Sequence, residues 1–276
     1  NRRRKGLEQL LPDMPKTSHY DPDQLEKVIE VEGAETISAF IGEPVIGAAA
    51  GAYVPPDDYW TRISEICARH DILVIADEVM TGFGRLGEKM GHAALGFTPD
   101  IITGGKGLGG GYVPSGGVYC GPNVVEPIGK TDLALMFYTF AGQDLCCAVA
   151  TKVLEIIRTE NLVDRAAAMG RELRIRLEEE FRDHPNVEDI RGRGLLQGLG
   201  LVANRETGKP FPRSASFADS VSKVALDNGV WIYPSGSGVF DDAVMFGPPF
   251  TVEESHLDEM VCVTRQAIDT VAQSLN

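Results

Sequence analysis

The sequence predicts an α/β fold in which a mainly parallel sheet flanked by helices is followed by a smaller α+β domain. Strand-like and helix-like patterns alternate from Thr36 onward, as expected of βαβ units. Residues 72–76 (ILVIA) form a continuous apolar run, typical of a central parallel strand that is covered on both faces. Beyond Pro185 the pattern changes to strands around a glycine-rich turn. We therefore predict a large domain over residues 1–160, and an interdomain helix with a small domain over residues 161–276.

The first predicted domain contains four strands and long helical stretches. Apolar residues recur at helical spacing after the Pro-Pro-Asp-Asp run at 55–58, which predicts a helix that ends near His70. A second helical stretch begins near Leu145, breaks near Glu160 and resumes as far as about His184. The predicted strands cover residues 36–41, 72–76, 101–103 and 117–120.

The second predicted domain mixes strands and helices. Strands surround a glycine-rich turn within residues 187–202, and a further strand is predicted at residues 229–233. A helix is predicted between them at residues 218–227. The chain ends in a helix that is predicted to open with a capping box formed by Thr251 and Glu254.

The composition is that of an ordinary soluble globular protein, with 43% hydrophobic and 24% charged residues. The 40 acidic residues outnumber the 26 basic ones and give a net charge of −14, so a nucleic-acid partner is not expected. No apolar run reaches the roughly 20 residues that cross a bilayer, and no signal-peptide pattern opens the chain. The five cysteines lack zinc-type and disulfide spacing and are expected to be free. We therefore expect a cytoplasmic protein with no membrane partner and no metal.

Asp77 follows directly after the apolar run at residues 72–76, at the end of a strand where open α/β sheets bind ligands. A carboxylate in that position needs a cation or several hydrogen-bond donors. The pyridinium nitrogen of pyridoxal 5′-phosphate (PLP) is one such cation, and a carboxylate beside it keeps the ring protonated. Because side chains alternate along a strand, Asp77 and Val79 should point the same way and Glu78 the opposite way. An acid that caps a turn or binds a metal is the alternative interpretation of Asp77 alone.

Lys106 lies in a glycine-rich segment, residues 103–111 (TGGKGLGGG), after the third predicted strand. Glycines let a backbone pass close to a flat ligand, and a partly desolvated amine near other charge is suited to Schiff-base formation and proton transfer. A surface lysine on a flexible loop is the simpler interpretation. The glycine spacing GxGxxG also matches a dinucleotide-binding fingerprint, but residues 111–117 break the helix that should follow it.

Six segments carry a more specific pattern than any single motif. They are GEPVIG (42–47), ILVIADEVMTGFGRLG (72–87), TPDIITGGKGLGGGYVPSGGV (98–118), FYTFAGQDLCCAVA (137–150), IRGRGLLQGLGLV (190–202) and MFGPPFTVEE (245–254). Together, and in this order and spacing, they resemble successive motifs of the class III (ω-) aminotransferases from about Thr36 to the C-terminus. The resemblance implies the fold of the type I PLP-dependent transferases, with part of the large domain and a small C-terminal α+β domain.

The resemblance assigns roles by position. Lys106 matches the lysine that carries PLP as a Schiff base and then moves a proton. Asp77 matches the residue that pairs with the pyridinium nitrogen, and Val79 the one that packs on the ring. Thr139 matches a threonine that hydrogen-bonds the phosphate of the cofactor in the neighbouring subunit. Glu43 matches the glutamate of a Glu-Pro motif beside the active site and the substrate.

The chain also departs from the family pattern. Many members that act on α-amino acids have an arginine where this chain has Met245, which favours amines or ω-amino acids as substrates. Gln143 and Asp144 replace His-Pro at the start of a helix, where we expect little effect on the chemistry. Arg85 is expected to be architectural. The family's N-terminal part, which supplies a Gly-Ser phosphate cup and an aromatic ring stacked on PLP, has no counterpart before Thr36, so half of the phosphate site is expected to be missing from this sequence.

The resemblance implies a PLP-dependent aminotransferase that moves an amino group from an amine or ω-amino acid to a keto acid such as pyruvate. The expected mechanism is ping-pong, in a homodimer with its active sites at the interface. A class III-like aminomutase or decarboxylase would share Lys106 and Asp77. A non-catalytic remnant without a complete PLP site and a dinucleotide-binding dehydrogenase are the alternatives from other classes.

Overall fold

The computed structural model describes residues 8–10, 14–131, 138–236 and 242–275. The chain divides into two compact units. The parallel-sheet unit comprises Pro15–Pro44 and Pro55–Val163, and the antiparallel-sheet unit comprises Val45–Val54 and Asp164–Asn276. Within the described residues, no helix combines the length and apolar character needed to span a membrane.

The parallel-sheet unit is built on a four-stranded sheet in which the strands lie side by side in chain order. The first three strands are parallel and the fourth runs antiparallel to the third. The predicted α/β architecture with a mainly parallel sheet is therefore confirmed. The strands are β1 (Ala39–Gly42), β2 (Leu73–Asp77), β3 (Ile101–Gly104) and β4 (Gly117–Cys120).

The core of this unit lies between the sheet and its first two helices. Trp60 is buried at its centre, where its ring stacks on Phe97 with the ring centroids 4.2 Å apart. Leu25 and Ile29 pack in the same cluster and belong to a first helix that the sequence patterns did not predict. The helices are α1 (Asp23–Glu32), α2 (Tyr59–Arg69), α3 (Gly91–Ala94), α4 (Pro122–Gly129) and α5 (Asp144–Thr159).

In its described residues, the antiparallel-sheet unit has a second four-stranded sheet and three α-helices. Its strands are β5 (Val187–Arg193), β6 (Leu196–Leu201), β7 (Tyr233–Ser235) and β8 (Ala243–Phe246), in the spatial order β5-β6-β8-β7. All three pairings in this sheet are antiparallel. The helices are α6 (Leu162–Phe181), α7 (Phe217–Asp227) and α8 (Glu254–Gln273). The predicted small α+β domain is confirmed in its class.

Two local predictions in this unit are wrong. The strand predicted at residues 229–233 begins only at Tyr233, because Val230 still donates its backbone N–H to the carbonyl of Ala225 and so closes the end of α7. The capping box of α8 lies elsewhere than predicted. Glu253 caps the helix, and its own N–H donates to Nδ1 of His256 over 3.2 Å.

The segment Val45–Val54 packs in the antiparallel-sheet unit although it follows β1 in sequence. The contact is tight, because a Cβ on Gly198 would lie 2.1 Å from the carbonyl oxygen of Gly51. Gly51 itself has φ +63°, and a Cβ there would lie 2.5 Å from that of Ala243. Glycine is therefore required at both positions. Nothing in the local sequence pattern indicates that this segment leaves the first unit.

His184 is expected to make the stability of the antiparallel-sheet unit depend on pH. Its ring is buried at the end of α6, Nε2 lies 3.1 Å from Oδ1 of Asp269, and burial lowers its pKa below 6.5. The unfolded chain therefore binds more protons in the window below about pH 6.5, so stability should fall as the pH drops through that value and the folded pKa. We expect the thermal midpoint to fall between about pH 7.5 and about pH 5, with a smaller fall in His184→Gln. An equal fall in both proteins, measured by circular dichroism, would contradict this assignment.

Candidate active site

The carboxyl ends of three parallel strands meet at one edge of the first sheet, and three predicted site residues follow them. Glu43 comes directly after β1, Asp77 ends β2, and Lys106 comes two residues after β3. The register pairs the last residue of β1 with Ala76 and pairs Asp77 with Thr103. The three side chains therefore originate from neighbouring strands at the edge where open α/β sheets bind ligands.

Asp77 is half-buried, and its carboxylate is fixed on one side. Oδ1 accepts a hydrogen bond from the backbone N–H of Val79 over 3.1 Å and one from the hydroxyl of Thr103 over 3.4 Å. Within the part of the chain that the structure describes, no cation pairs with Asp77 and no donor reaches Oδ2. A carboxylate that is held through one oxygen and has the other oxygen unpaired can accept a hydrogen bond from a cationic ligand.

Val79 lies beside the backbone that leads into Lys106. A Cβ built on Gly105 would lie 3.7 Å from Cγ2 and 3.8 Å from Cγ1 of Val79, which is ordinary van der Waals contact. Val79 also donates its N–H to Asp77, so the same three-residue corner contacts both the carboxylate and the lysine loop. The structure thus brings Asp77, Val79 and the loop of Lys106 together.

Lys106 is exposed and has an unusual backbone conformation. Its φ is +40°, and it begins a single 3₁₀ turn, Lys106–Gly109. A non-glycine residue in this region costs about 1–3 kcal/mol, and such residues are over-represented at active sites. Gly110 and Gly111 follow with φ +58° and +83° and lead into β4 without a helix. The dinucleotide interpretation therefore loses the helix N-terminus that would bind the pyrophosphate.

Phe83 packs against the lysine loop, residues 103–111. It is buried and has φ +56°, the second non-glycine residue of this region with a positive φ. A Cβ on Gly104 would lie 2.9 Å from Cζ of the Phe83 ring, and one on Gly107 would lie 3.6 Å from its Cβ. Phe83 therefore packs against Gly104 and Gly107, which flank Gly105 and Lys106.

Glu78 is a buried carboxylate that the sequence analysis did not assign to the site. Its side chain is fully buried and accepts four hydrogen bonds, from the hydroxyl of Thr81 (2.7 Å), the N–H of Gly91 (2.6 Å), the N–H of His92 (2.6 Å) and Nδ1 of His92 (2.9 Å). Strand alternation had already placed it opposite Asp77 and Val79. The signal that could have found it is an acid directly after a buried strand, which needs its own donors.

Two predicted residues lie at the periphery of this arrangement. Thr139 is exposed in the turn before α5, and among the described residues no hydrogen bond joins it to Asp77 or Lys106. Glu43 is half-buried at the end of β1, next to the strand of Asp77. Arg85 is half-buried, and burial lowers its pKa to about 10.

Comparison with known proteins agrees with these features. A family model described as aminotransferase class-III matches residues 7–268, so the match begins earlier than the position near Thr36 that the motifs indicated. An uncharacterized aminotransferase of Bacillus subtilis, YodT, is 33% identical over 92% of this chain and 58% of its own length. The putrescine–pyruvate aminotransferase of Pseudomonas aeruginosa is 35% identical over 92% of this chain and 54% of its own length.

A solved structure is similar over almost the same part of the chain. The crystal structure of a transaminase from the marine bacterium Virgibacillus superimposes with a TM-score of 0.89 at 34% identity, and covers 94% of this chain and 60% of that one. The chain thus spans about half the length of the curated relatives it matches, 58% and 54% for the two described above.

Proposed function

The chain belongs to the class III aminotransferase family, and from that premise we propose that the protein is a PLP-dependent aminotransferase. It moves an amino group from an amine or ω-amino acid to a keto acid such as pyruvate, by a ping-pong mechanism. The observation that carries the proposal is the position of Asp77 and the Lys106 loop, which meet through Val79 at one sheet edge. A carboxylate for a ring cation and an amine for covalent attachment are the two groups that PLP chemistry requires of a protein.

The residues present fit the cofactor. Oδ2 of Asp77 has no partner among the described residues and suits a protonated pyridine nitrogen. Val79 offers an apolar surface for one face of the ring. The buried hydroxyl of Ser115 has no hydrogen-bond partner in the described part of the chain either, and a Cβ on Gly109, at the end of the Lys106 turn, would lie 2.5 Å from it. An unsatisfied buried polar group beside this loop supports a polar ligand there.

The residues divide the chemistry between them. When bound, PLP supplies an electron sink for the carbanion that forms as the substrate loses a proton. Nζ of Lys106 would hold the cofactor covalently and would move a proton at the substrate carbon. Asp77 keeps the proton on the ring nitrogen, and Val79 excludes water from the ring face. Glu43, directly after β1, would lie beside the substrate or behind the groups that contact it.

We propose a homodimer as the working form. Thr139 is exposed and is not hydrogen-bonded to Asp77 or Lys106 of its own chain, so its hydroxyl is available to the cofactor phosphate of a second subunit. Apolar side chains around it are exposed as well, and Tyr138 and Phe140 are 71% and 82% accessible. Burial of such rings in a subunit interface would stabilise the dimer.

The proposed amino donor is an amine or ω-amino acid. The similarity to a putrescine–pyruvate aminotransferase favours a diamine as donor and pyruvate as acceptor. Met245 lies within β8 and is buried, and it supplies no guanidinium for the carboxylate of an α-amino acid.

The test is a two-substrate assay of the full-length protein with putrescine and pyruvate. We expect alanine to form only when both are present, and the amine alone to give aminoaldehyde in an amount stoichiometric with PLP, as a ping-pong mechanism requires. An aminomutase would act without the keto acid, and a decarboxylase would release carbon dioxide. If no keto acid is aminated with any of a panel of amines and ω-amino acids, the proposed activity is wrong.

A further inference from the structure

In the described segment from Asp77 to the start of α3, Glu78 is the only buried carboxylate. Its two oxygens accept four hydrogen bonds of 2.6–2.9 Å, two of them from His92. Buried carboxylates are tolerated when several donors satisfy them, and such charge-assisted bonds are among the strongest in proteins. The space is closely fitted as well, because a Cβ on Gly91 would lie 2.6 Å from Oε2 of Glu78.

Glu78 is coupled to Asp77 through β3. Its backbone N–H donates to the carbonyl of Thr103 over 2.8 Å, and the hydroxyl of Thr103 donates to Oδ1 of Asp77 over 3.4 Å. The chain immediately after Glu78 is coupled too, since the next residue, Val79, donates its N–H to the same Oδ1. A shift of Glu78 would therefore displace both donors that fix the Asp77 carboxylate.

Glu78 is also coupled to the lysine loop. The backbone carbonyl of Glu78 accepts a hydrogen bond from the N–H of Gly82 over 2.9 Å. This bond closes the turn that directly precedes Phe83. Phe83 then packs against the positions of Gly104 and Gly107 on either side of Lys106. One buried carboxylate is thus connected to both chemical groups of the candidate active site.

We propose that Glu78, held by His92, is a positioning residue for the proposed PLP site: it sets the carboxylate of Asp77 and the loop of Lys106 at the same time. The inference rests on the proposed function. A purely structural residue would change only the thermal midpoint. Displacement of Asp77 and Lys106 would also change the affinity for PLP and the pH midpoint of its absorbance. His92 acts through Glu78 and does not contact Asp77 or Lys106 by a hydrogen bond in the described residues.

The experiment compares Glu78→Gln with the wild-type full-length protein. In Glu78→Gln an amide NH₂ replaces an oxygen that accepts hydrogen bonds, so at least one donor faces another donor. We expect PLP to bind about tenfold or more weakly, as loss of a charge-assisted hydrogen bond predicts. We also expect the pH midpoint of the bound cofactor's visible absorbance to shift. His92→Leu should change PLP affinity and the absorbance midpoint in the same direction as Glu78→Gln. His92→Asn keeps a donor near the place of Nδ1 and should therefore keep both quantities close to their wild-type values.

Two further variants separate positioning from stability. Leu177→Ala removes a fully buried side chain from the antiparallel-sheet unit and should lower the thermal midpoint without changing PLP affinity or the absorbance midpoint. Thr81→Val removes one of the four hydrogen bonds to Glu78 and serves if Glu78→Gln does not fold. The inference is overturned if the Glu78, His92 and Thr81 variants lose only thermal stability, as Leu177→Ala does. Failure of the wild-type protein to bind PLP would overturn the proposed function, and with it this inference.

Discussion

Replacing Lys106 by alanine is expected to abolish covalent retention of PLP and to lower the rate of amino transfer by at least about 10³-fold. Among the residues that the structure describes, no other lysine follows β3 at this edge of the sheet. The amine therefore cannot be replaced by a neighbour, whether for attachment of the cofactor or for movement of the proton. Borohydride reduction followed by peptide mass spectrometry should find the cofactor on the Lys106 peptide of the wild-type protein and nowhere in Lys106→Ala.

Two control variants make this result specific. Lys106→Arg keeps a positive charge and a long side chain, but a guanidinium stays protonated and cannot attach the cofactor, so it should be as inactive as the alanine variant. Lys89→Ala removes an exposed lysine of the same unit and should leave activity and labelling unchanged. Activity that survives in Lys106→Ala at more than about a tenth of the wild-type rate would mean that another group attaches the cofactor.

The parts of the fold that could be predicted from sequence are those in which one local pattern decides the structure. The apolar run at residues 72–76 predicts a strand, and β2 lies within one residue of it, although Leu73 and Ile75 are only half-buried in the structure. The strand β4 (Gly117–Cys120) was found with its bounds. The break between α5 and α6 lies where a turn at Asn161, with φ +51°, interrupts the helical pattern.

The parts that could not be predicted depend on contacts between distant residues. The strand that begins at Tyr233 is determined by its pairing with Met245 on β8, which no local apolar run encodes. Segment 45–54 leaves the first unit because Gly51 and Gly198 allow two backbones to touch. Sequence patterns give the periodicity of each segment, whereas the partner of each segment is a property of the packed structure.

The candidate site also has features that the local sequence predicts and features that depend on contacts between distant residues. Residue type and strand alternation placed Asp77 and Val79 on one side and Glu78 on the other, and the structure has them so. The positive φ of Lys106 and of Phe83 could not be foreseen, because only the packing of the ring against Gly104 and Gly107 shows why those conformations are adopted. The network of Glu78 was missed because its donors lie up to 14 residues away in sequence.

Replacing Asp77 by asparagine is expected to lower the rate of amino transfer by about 10²–10³-fold while the cofactor remains attached to Lys106. Asparagine keeps an oxygen that can accept from Val79 and Thr103, so the corner after β2 should stay folded. It loses the negative charge that holds a proton on the pyridine nitrogen, and the ring then withdraws electrons poorly. Stopped-flow measurement of the amine half-reaction, with mass spectrometry of the Lys106 label, checks both parts.

Thr103→Val is the matched control, because it removes only the 3.4 Å hydrogen bond to Oδ1 and leaves the charge of Asp77 in place. This bond joins a hydroxyl to a carboxylate but is long, so its loss should cost about 1 kcal/mol and the rate should fall by less than about tenfold. If Asp77→Asn and Thr103→Val slow the half-reaction equally, then Asp77 matters through the geometry of the strand end and not through its charge. A large loss in Asp77→Asn alone would place the charge of Asp77 at the cofactor ring, and that is the result that the unpaired Oδ2 leads us to expect.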